Sequence, residues 1–399
     1  MPSDIFSHRE PSPSSHGKDG TLSGMKVALQ PNMSVRGWPT EAGSMALKRF
    51  VALENATVVE RLRGAGALLV GSTRMSELGF GLAGDSTASA VSGGHADCAL
   101  ITDTMGESRI AASMAGLWAF KPTYGIVSRL GLIGLVPSME CYGVVAKKPQ
   151  DIAPVMKVIA GRDENDFSMP DLAIPDFHLD GEKEDAVKNI AVLKECPELL
   201  TADEAALFRS GLSRLEKAGF NLQEASMADF GLFRTVHQVV GSVEASSSAG
   251  KYDGVRYGHR ASAAKNWNEM YLKSRAEAFG LPVKAYLFQG AYFQFENFDA
   301  FEDACRIRAR LVKAMDDLLA RVDAIALPTR RKGYPAEKAA TVNQVYDAFL
   351  LTLAANVTGL PALQVPGIVS DDGFDFGLQL VGRRLSEPHL LSAGALLRR

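Results

Sequence analysis

Cysteine is scarce in this chain of 399 residues: there are four, Cys98, Cys141, Cys196 and Cys305, and no two form a C-x-x-C pair. That spacing excludes a disulfide framework and a thiolate zinc site, and leaves reduced thiols of a cytoplasmic protein as the expectation. Seven histidines are scattered without an H-E-x-x-H or comparable spacing, so neither a metal nor a cofactor is expected. No apolar run approaches the roughly eighteen residues that a membrane span needs. The N-terminus, "MPSDIFSHREPSPSSHGKDG", lacks the apolar centre of a secretory leader. Charge of one sign is lacking too. A formal net charge of −3 and a pI near 6.2 give no general pull toward nucleic acid or anionic lipid.

What is present is ordinary globular composition, 46% apolar and 22% charged. Residues 1–20, rich in Ser, Pro, His and Gly, read as a flexible arm, and residues 21–399 as a single domain without internal repeats. "MKVALQ" (25–30) is a short strand-like run. Leu47, Phe50, Val51, Val58 and Leu62 recur at helical spacing and predict a helix from about Ala46 to Arg63. In "GAGALLVG" the glycines precede a strand, which fits a helix C-cap better than a dinucleotide loop. "IAVL" (190–193), "DAIALP" (323–328), "PALQVP" (361–366) and "FGLQLVG" (376–382) predict further strands between helical stretches. The fold class is therefore α/β, a central mixed sheet surrounded by helices.

Five segments, in order along the chain, carry a family resemblance: "GAGALLVGSTRMSELGFG", "TDTMGESRIAASMAGLWAFKPTYGIVSRLGL", "EASSSAGKYDGVRYGHR", "VDAIALPT" and "NVTGLPALQVPG…FGLQLVG". Together they resemble the amidase-signature family, most closely its tRNA-dependent amidotransferase A subunits. The resemblance runs from about Gly20 to the C-terminus. It leaves the N-terminal helical segment, and the loop before "GDSTASAVSGG", shorter than the family pattern. It implies amide C–N hydrolysis by a serine nucleophile. A second serine relays the proton to a neutral lysine, and backbone N–H groups receive the oxyanion.

Carried onto this chain, the nucleophile position falls on Glu107, between the anchors Thr102-Asp103-Thr104 and Arg109. The relay serine falls on Ala83, and the lysine on Gln30 in "ALQPN". All three positions are substituted. Ser108 is the fallback nucleophile, although one step along the chain turns its hydroxyl away from the oxyanion donors. Ser86 is three residues from the relay position, and Lys26 lies roughly 13 Å along the strand from Gln30. A carboxylate at Glu107 is expected to be drawn to the turn's backbone N–H groups, filling the place of a substrate oxyanion. The alternatives are an ion pair with Arg109 or a turn toward solvent.

On the substrate side the resemblance points to the turn residues Thr104, Met105 and Gly106, to Tyr252 and Tyr257 in "YDGVRYG", and to Arg308. This arginine interrupts the apolar helical stripe of Phe301, Ala304, Cys305, Val312, Met315 and Leu319. It is either a carboxylate clamp or half of an internal ion pair. The acid expected to hold a substrate ammonium is missing: Phe349 stands at the expected position and Asp347 two residues away. "TRRKG" (329–333) reads as a solvated basic loop open to tRNA or a partner. The reading that follows is a catalytically impaired amidase-like or amidotransferase-A-like protein that binds a small amide or a partner protein. The alternative is an active amidase, or a glutaminase-type subunit, using Ser108 or Glu107. A homo-oligomer is a further expectation. Nucleic acid enters only indirectly, through a tRNA amidotransferase-like complex.

Overall fold

The structure, a computed structural model, describes residues 5–13, 20–177 and 187–398. Among the described residues, eleven strands form one sheet: β1 (Phe6–Arg9), β2 (Lys26–Leu29), β3 (Leu68–Thr73), β4 (Cys98–Asp103), β5 (Trp118–Lys121), β6 (Cys141–Ala146), β7 (Asn189–Leu193), β8 (Asn221–Ala225), β9 (Ala324–Pro328), β10 (Ala362–Val365) and β11 (Leu378–Gly382). Their order across the sheet is β1-β3-β2-β4-β6-β5-β10-β11-β9-β7-β8. The flanking trios β3-β2-β4 and β9-β7-β8 pair in parallel, and the strands between them pair antiparallel. The six strands β4, β5, β6, β9, β10 and β11 are buried along their whole length, which explains their predominantly apolar character.

The helices are α1 (Thr57–Gly64), α2 (Thr87–Ser92), α3 (Glu107–Met114), α4 (Pro149–Ile159), α5 (Ala202–Lys217), α6 (Leu232–Ser248), α7 (Trp267–Ala278), α8 (Leu281–Phe295), α9 (Phe298–Leu319), α10 (Val342–Phe349), α11 (Leu353–Thr358) and α12 (Glu387–Leu397). Helix α3 lies on the middle of the sheet, against β4, β5, β6 and β10. Gly143 of β6 permits this approach: a Cβ there would stand 2.2 Å from the Cβ of Ser108. Helices α4 and α12 pack on each other and on the sheet, while α6, α8, α9 and α11 stack into a helical layer of their own.

Every expected strand is present, and two expectations are corrected. Within the N-terminal arm, Phe6–Arg9 is an edge strand antiparallel to β3, with Phe6 buried and the Ser7 hydroxyl donating to Thr73 O at 2.6 Å. Positions 1–4 and 14–19 of the arm lie outside the described residues. The expected helix from Ala46 begins only at Thr57, after a single 3-10 turn at Met45–Leu47. The intervening chain pairs with residues 38–40 instead, through Thr40 N–H to Phe50 O (2.8 Å) and Ala52 N–H to Trp38 O (3.1 Å). Asn55 then accepts from Arg36 N–H and donates to Glu60 just before the helix begins.

Candidate functional site

Strand β4 ends at Asp103, and the turn Thr104-Met105-Gly106 delivers the chain into α3 at Glu107. Gly106 has φ +127°, and a Cβ on it would meet the Thr352 side chain at 2.2 Å, so only glycine fits. Thr352 locks the turn from above, its hydroxyl donating to Met105 O at 2.6 Å. Three consecutive backbone N–H groups therefore converge on one point. The Glu107 carboxylate occupies it: Oε2 accepts from Thr104 N–H (2.8 Å), Met105 N–H (2.8 Å) and Gly106 N–H (3.1 Å). Glu107 is 1% exposed, and its other oxygen, Oε1, is buried without a partner. Burial, reinforced by the nearby Asp103 carboxylate, pushes the Glu107 carboxyl up to about 8, against the pull of the N–H groups of Met105, Glu107 and Thr104.

Under the turn, Asp103 and Arg109 form an ion pair of 3.0 Å with no exposure on either side. Arg109 also donates to Thr352 O (3.0 Å), Gln379 Oε1 (2.8 Å) and Asn356 Oδ1. Asn356 donates back to Asp103 Oδ1 at 2.9 Å. Burial works to raise the Asp103 carboxyl, but the Arg109 guanidinium, the Lys121 ammonium and the Ser108 hydroxyl hold it below its ordinary value. The Ser108 hydroxyl donates to Asp103 Oδ2 and is fully buried under α3. It is thus part of this ion-pair network and not of the turn's open end.

Gln30 is buried at the end of β2. Its Oε1 accepts from Thr102 N–H (2.8 Å) and its Nε2 donates to Asp85 Oδ2 (2.7 Å). Asp85 also accepts from Thr87 N–H (2.8 Å), and burial pushes its carboxyl up to about 6. Ala83 sits exposed in the preceding loop. Ser86 is committed to the sheet edge, donating to Ile5 O (2.6 Å) and accepting from Arg74 N–H (3.0 Å). Lys26 is exposed at the start of β2. Among the described residues no hydrogen bond joins Gln30, Ala83 or Ser86 to Glu107.

A buried relay covers the turn on the side of the helical layer. His237 of α6 reaches Thr104 O through Nε2 (2.9 Å) and the Tyr346 hydroxyl through Nδ1 (2.9 Å). A carbonyl accepts only, so Nε2 carries the proton, Nδ1 accepts from Tyr346, and Tyr346 in turn accepts from Tyr286 at 3.0 Å. Burial lowers the His237 imidazole to about 4, which keeps this tautomer neutral. Phe80 stacks on Tyr286 at 4.5 Å and extends the cover. Sequence reading did not single out this relay. Its signal was a histidine and two tyrosines on otherwise apolar helix faces.

Comparison with known proteins places these residues in a lineage. The Amidase family profile matches residues 8–89 and 86–391. The chain belongs to the amidase family. The A subunit of glutamyl-tRNA(Gln) amidotransferase from Lactobacillus acidophilus is 32% identical over 407 residues, covering 95% of this chain and 84% of that protein. The A subunit from Haloarcula marismortui is 32% identical over 410 residues, covering 95% and 96%. Among solved structures, the A subunit of the Thermotoga maritima amidotransferase superposes with a TM-score of 0.80 and 26% identity, over 98% of this chain and 86% of that one. The native peptide amidase of Stenotrophomonas maltophilia gives 0.77 and 25%, over 95% and 83%.

In this amidase-family chain Arg308 does line a cleft, of about 620 Å³, together with Tyr124, Ser138, Cys305, Thr358 and Arg384. Among the described residues no acid is paired directly with it. It donates to Val357 O (2.9 Å), Ser138 Oγ (2.7 Å) and Ser138 O (2.9 Å), and Ser138 in turn donates to Glu244. Tyr252 packs between Tyr257 (6.2 Å) and Phe279 (6.4 Å), with its hydroxyl buried and unpartnered. Tyr257 sets its edge on Phe50. Asp347 pairs with Arg234, and Phe349 is core. The solvated basic loop at "TRRKG" is corrected. Arg330 donates to Asp375 O and stacks on Phe374, Arg331 donates to Asp347 O and stacks on Tyr334, and Lys332 pairs with Asp372. Inward carbonyls and ring faces take up both arginines, while Lys332 stays exposed in its ion pair.

Proposed function

We propose that this chain is a catalytically silenced amidase-family protein, kin to the amidotransferase A subunits, that acts in the cytoplasm by binding a small amide or a partner protein. One observation carries the reading: Glu107 Oε2 already accepts all three N–H groups of the Thr104-Met105-Gly106 turn. Acyl transfer needs such donors free for the charge that develops on a substrate carbonyl oxygen. Here the protein supplies its own oxygen. The remaining positions support the same reading. At the expected lysine position, Gln30 is an amide without basicity, tied to Thr102 and Asp85. Ala83 has no hydroxyl to relay a proton. Ser108 is buried as a donor to a carboxylate that Arg109 already holds. Glu107 is itself a poor nucleophile toward an amide, because its product would be an anhydride.

The test is ammonia release from glutamine, asparagine and a panel of simple amides, with Glu107→Ala and Ser108→Ala measured beside the unaltered chain. No turnover above a blank is expected for any of the three. Sustained turnover by the unaltered chain overturns the proposal, and its loss in either variant would name the residue of a rearranged site.

A further inference from the structure

Helix α8 (Leu281–Phe295, LPVKAYLFQGAYFQF) holds a single charged residue, Lys284. Its inner face buries Val283, Tyr286, Leu287 and Gly290 against the helical layer. Gly290 lets the helix lie close on α6: a Cβ there would stand 1.8 Å from Ser242 O. The outer face is apolar as well. Leu281, Phe288, Tyr292 and Phe295 are 74%, 74%, 52% and 76% exposed, and Ala285 is exposed between them. A helix apolar on both faces is ordinarily buried on both. These five residues follow one another at intervals of four, three, four and three. This is the a/d spacing of a helix seam that packs knobs into the holes of a second helix. The stripe is about 21 Å long.

We infer that α8 is the contact of a homodimer, with the outer stripe of one copy packed antiparallel on the same stripe of a second copy about a two-fold axis. An isologous contact requires that residue i meet j while j meets i. The stripe satisfies this with a dyad beside residue 290: Phe288 faces Tyr292 of the second copy, and the small Ala285 faces its bulky Phe295. Phe295 thus meets a small partner, the rings of Phe288 and Tyr292 pack on each other, and none of these four residues is charged. The area is sufficient. With aromatic side chains of about 150–250 Å² each, the stripe and the half-exposed Phe298 beside it offer roughly 600 Å² per copy. Doubled by the two-fold, that reaches the lower range of stable interfaces, about 1,200 Å². It also equals or exceeds the largest apolar patch of a typical monomer, about 300–600 Å².

The experiment is sedimentation equilibrium of the full chain over a wide concentration range. Twice the chain mass of 42.8 kDa is expected. Phe288→Glu, a change at an exposed position, places two buried charges on the seam, one from each copy. It is expected to raise the dissociation constant about a thousandfold or more, with an unchanged circular dichroism spectrum. Ala285→Arg is expected to do the same by removing the space for Phe295. Phe167→Glu, at an apolar side chain 96% exposed elsewhere on the surface, leaves the dimer intact. A monomeric unaltered chain overturns the inference. A dimer that survives both Phe288→Glu and Ala285→Arg also overturns it, because the contact then lies elsewhere.

Discussion

Glu107 and Met105 are joined within one turn: Met105 N–H donates to Glu107 Oε2 at 2.8 Å, the middle one of three bonds that this oxygen accepts. The side chain that opens α3 thereby closes the turn that leads into it. The bond is local, but what makes it stable is not. Thr352, 247 positions along the chain, holds Met105 O, and His237 holds Thr104 O. The three N–H groups are aimed by distant elements, as in a catalytic site, and Glu107 then occupies them from within the chain.

The buried Glu107 carboxyl makes stability depend on pH in a direction opposite to that of most carboxylates. Its folded value, about 8, lies above the ordinary 4.5. Between those values the folded chain holds a proton that the unfolded chain has lost, so stability falls as pH rises and levels off above about 8. His237 (about 4 folded, 6.5 ordinarily) and Asp85 (about 6 folded, 3.8 ordinarily) contribute below pH 6.5 and with opposite signs. Lys121, lowered by burial, and Glu140 and Glu387, raised by it, shift as well, so between pH 6.5 and 8 the Glu107 share of the slope is read as the difference between the unaltered chain and a Glu107→Gln variant. A decline of about 1–2 kcal/mol is expected there by urea denaturation. Glu107→Gln keeps an oxygen for the three N–H groups and carries no titrating proton, so it is expected to flatten the curve. An equal slope in the variant would assign the dependence to another group.

The Asp103–Arg109 pair is expected to matter far more when broken than when replaced. Arg109→Met leaves Asp103 buried without its cation and is predicted to cost about 3–5 kcal/mol in urea denaturation. Arg109→Met combined with Asp103→Leu removes the stranded charge and is expected to recover at least half of that loss. A double variant no better than the single one would mean that the Asn356 and Gln379 contacts, not the charges, carry the stability.

Gly143 and Ser108 are expected to behave as a steric pair. Gly143→Ala puts a methyl 2.2 Å from the Ser108 Cβ and forces α3 off the sheet, at an expected cost of about 1–3 kcal/mol. In a Ser108→Gly background the same change should cost little, so the double-mutant cycle has a favourable coupling. Additive costs would place the strain elsewhere along α3.

What was legible in the sequence was local. That a carboxylate at Glu107 is attracted to a turn rich in N–H groups could be read from "TDTMGES", as one of three placements, because donors and acceptor lie within four residues. Strands such as Ala324–Pro328 announced themselves because both faces are buried and every residue is apolar. The partners were not legible. Arg109 was visible as an anchor, but its bonds reach Thr352, Asn356 and Gln379, residues brought to it only by the completed sheet and the α10–α11 corner. Arg308 was visible as a charge in an apolar stripe, yet it is satisfied by the carbonyls of Val357 and Ser138, which any sequence supplies. Edge strands were missed for a related reason. β8, NLQEA, is half exposed and carries no apolar run. β1 sits among serines and prolines and is held by backbone pairing to a strand more than sixty residues away.

That pairing yields the last prediction, because β1 rests on a single glycine. A Cβ at Gly71 would stand 2.4 Å from His8 O and 2.9 Å from the Phe6 ring. Gly71→Ala should therefore lift β1 from β3 while leaving β2, β4 and β6 paired, since those strands make no use of β1. The expected signature is local. Amide hydrogen exchange should accelerate along residues 6–9, Phe6 should lose its burial, and β4 and β6 should keep their protection. Global unfolding should shift by only about 1 kcal/mol, because a short edge strand contributes little buried area compared with the fully buried centre of the sheet. Protection lost together in β1 and β4 would show instead that the N-terminal strand folds as one unit with the sheet that carries the Glu107 turn.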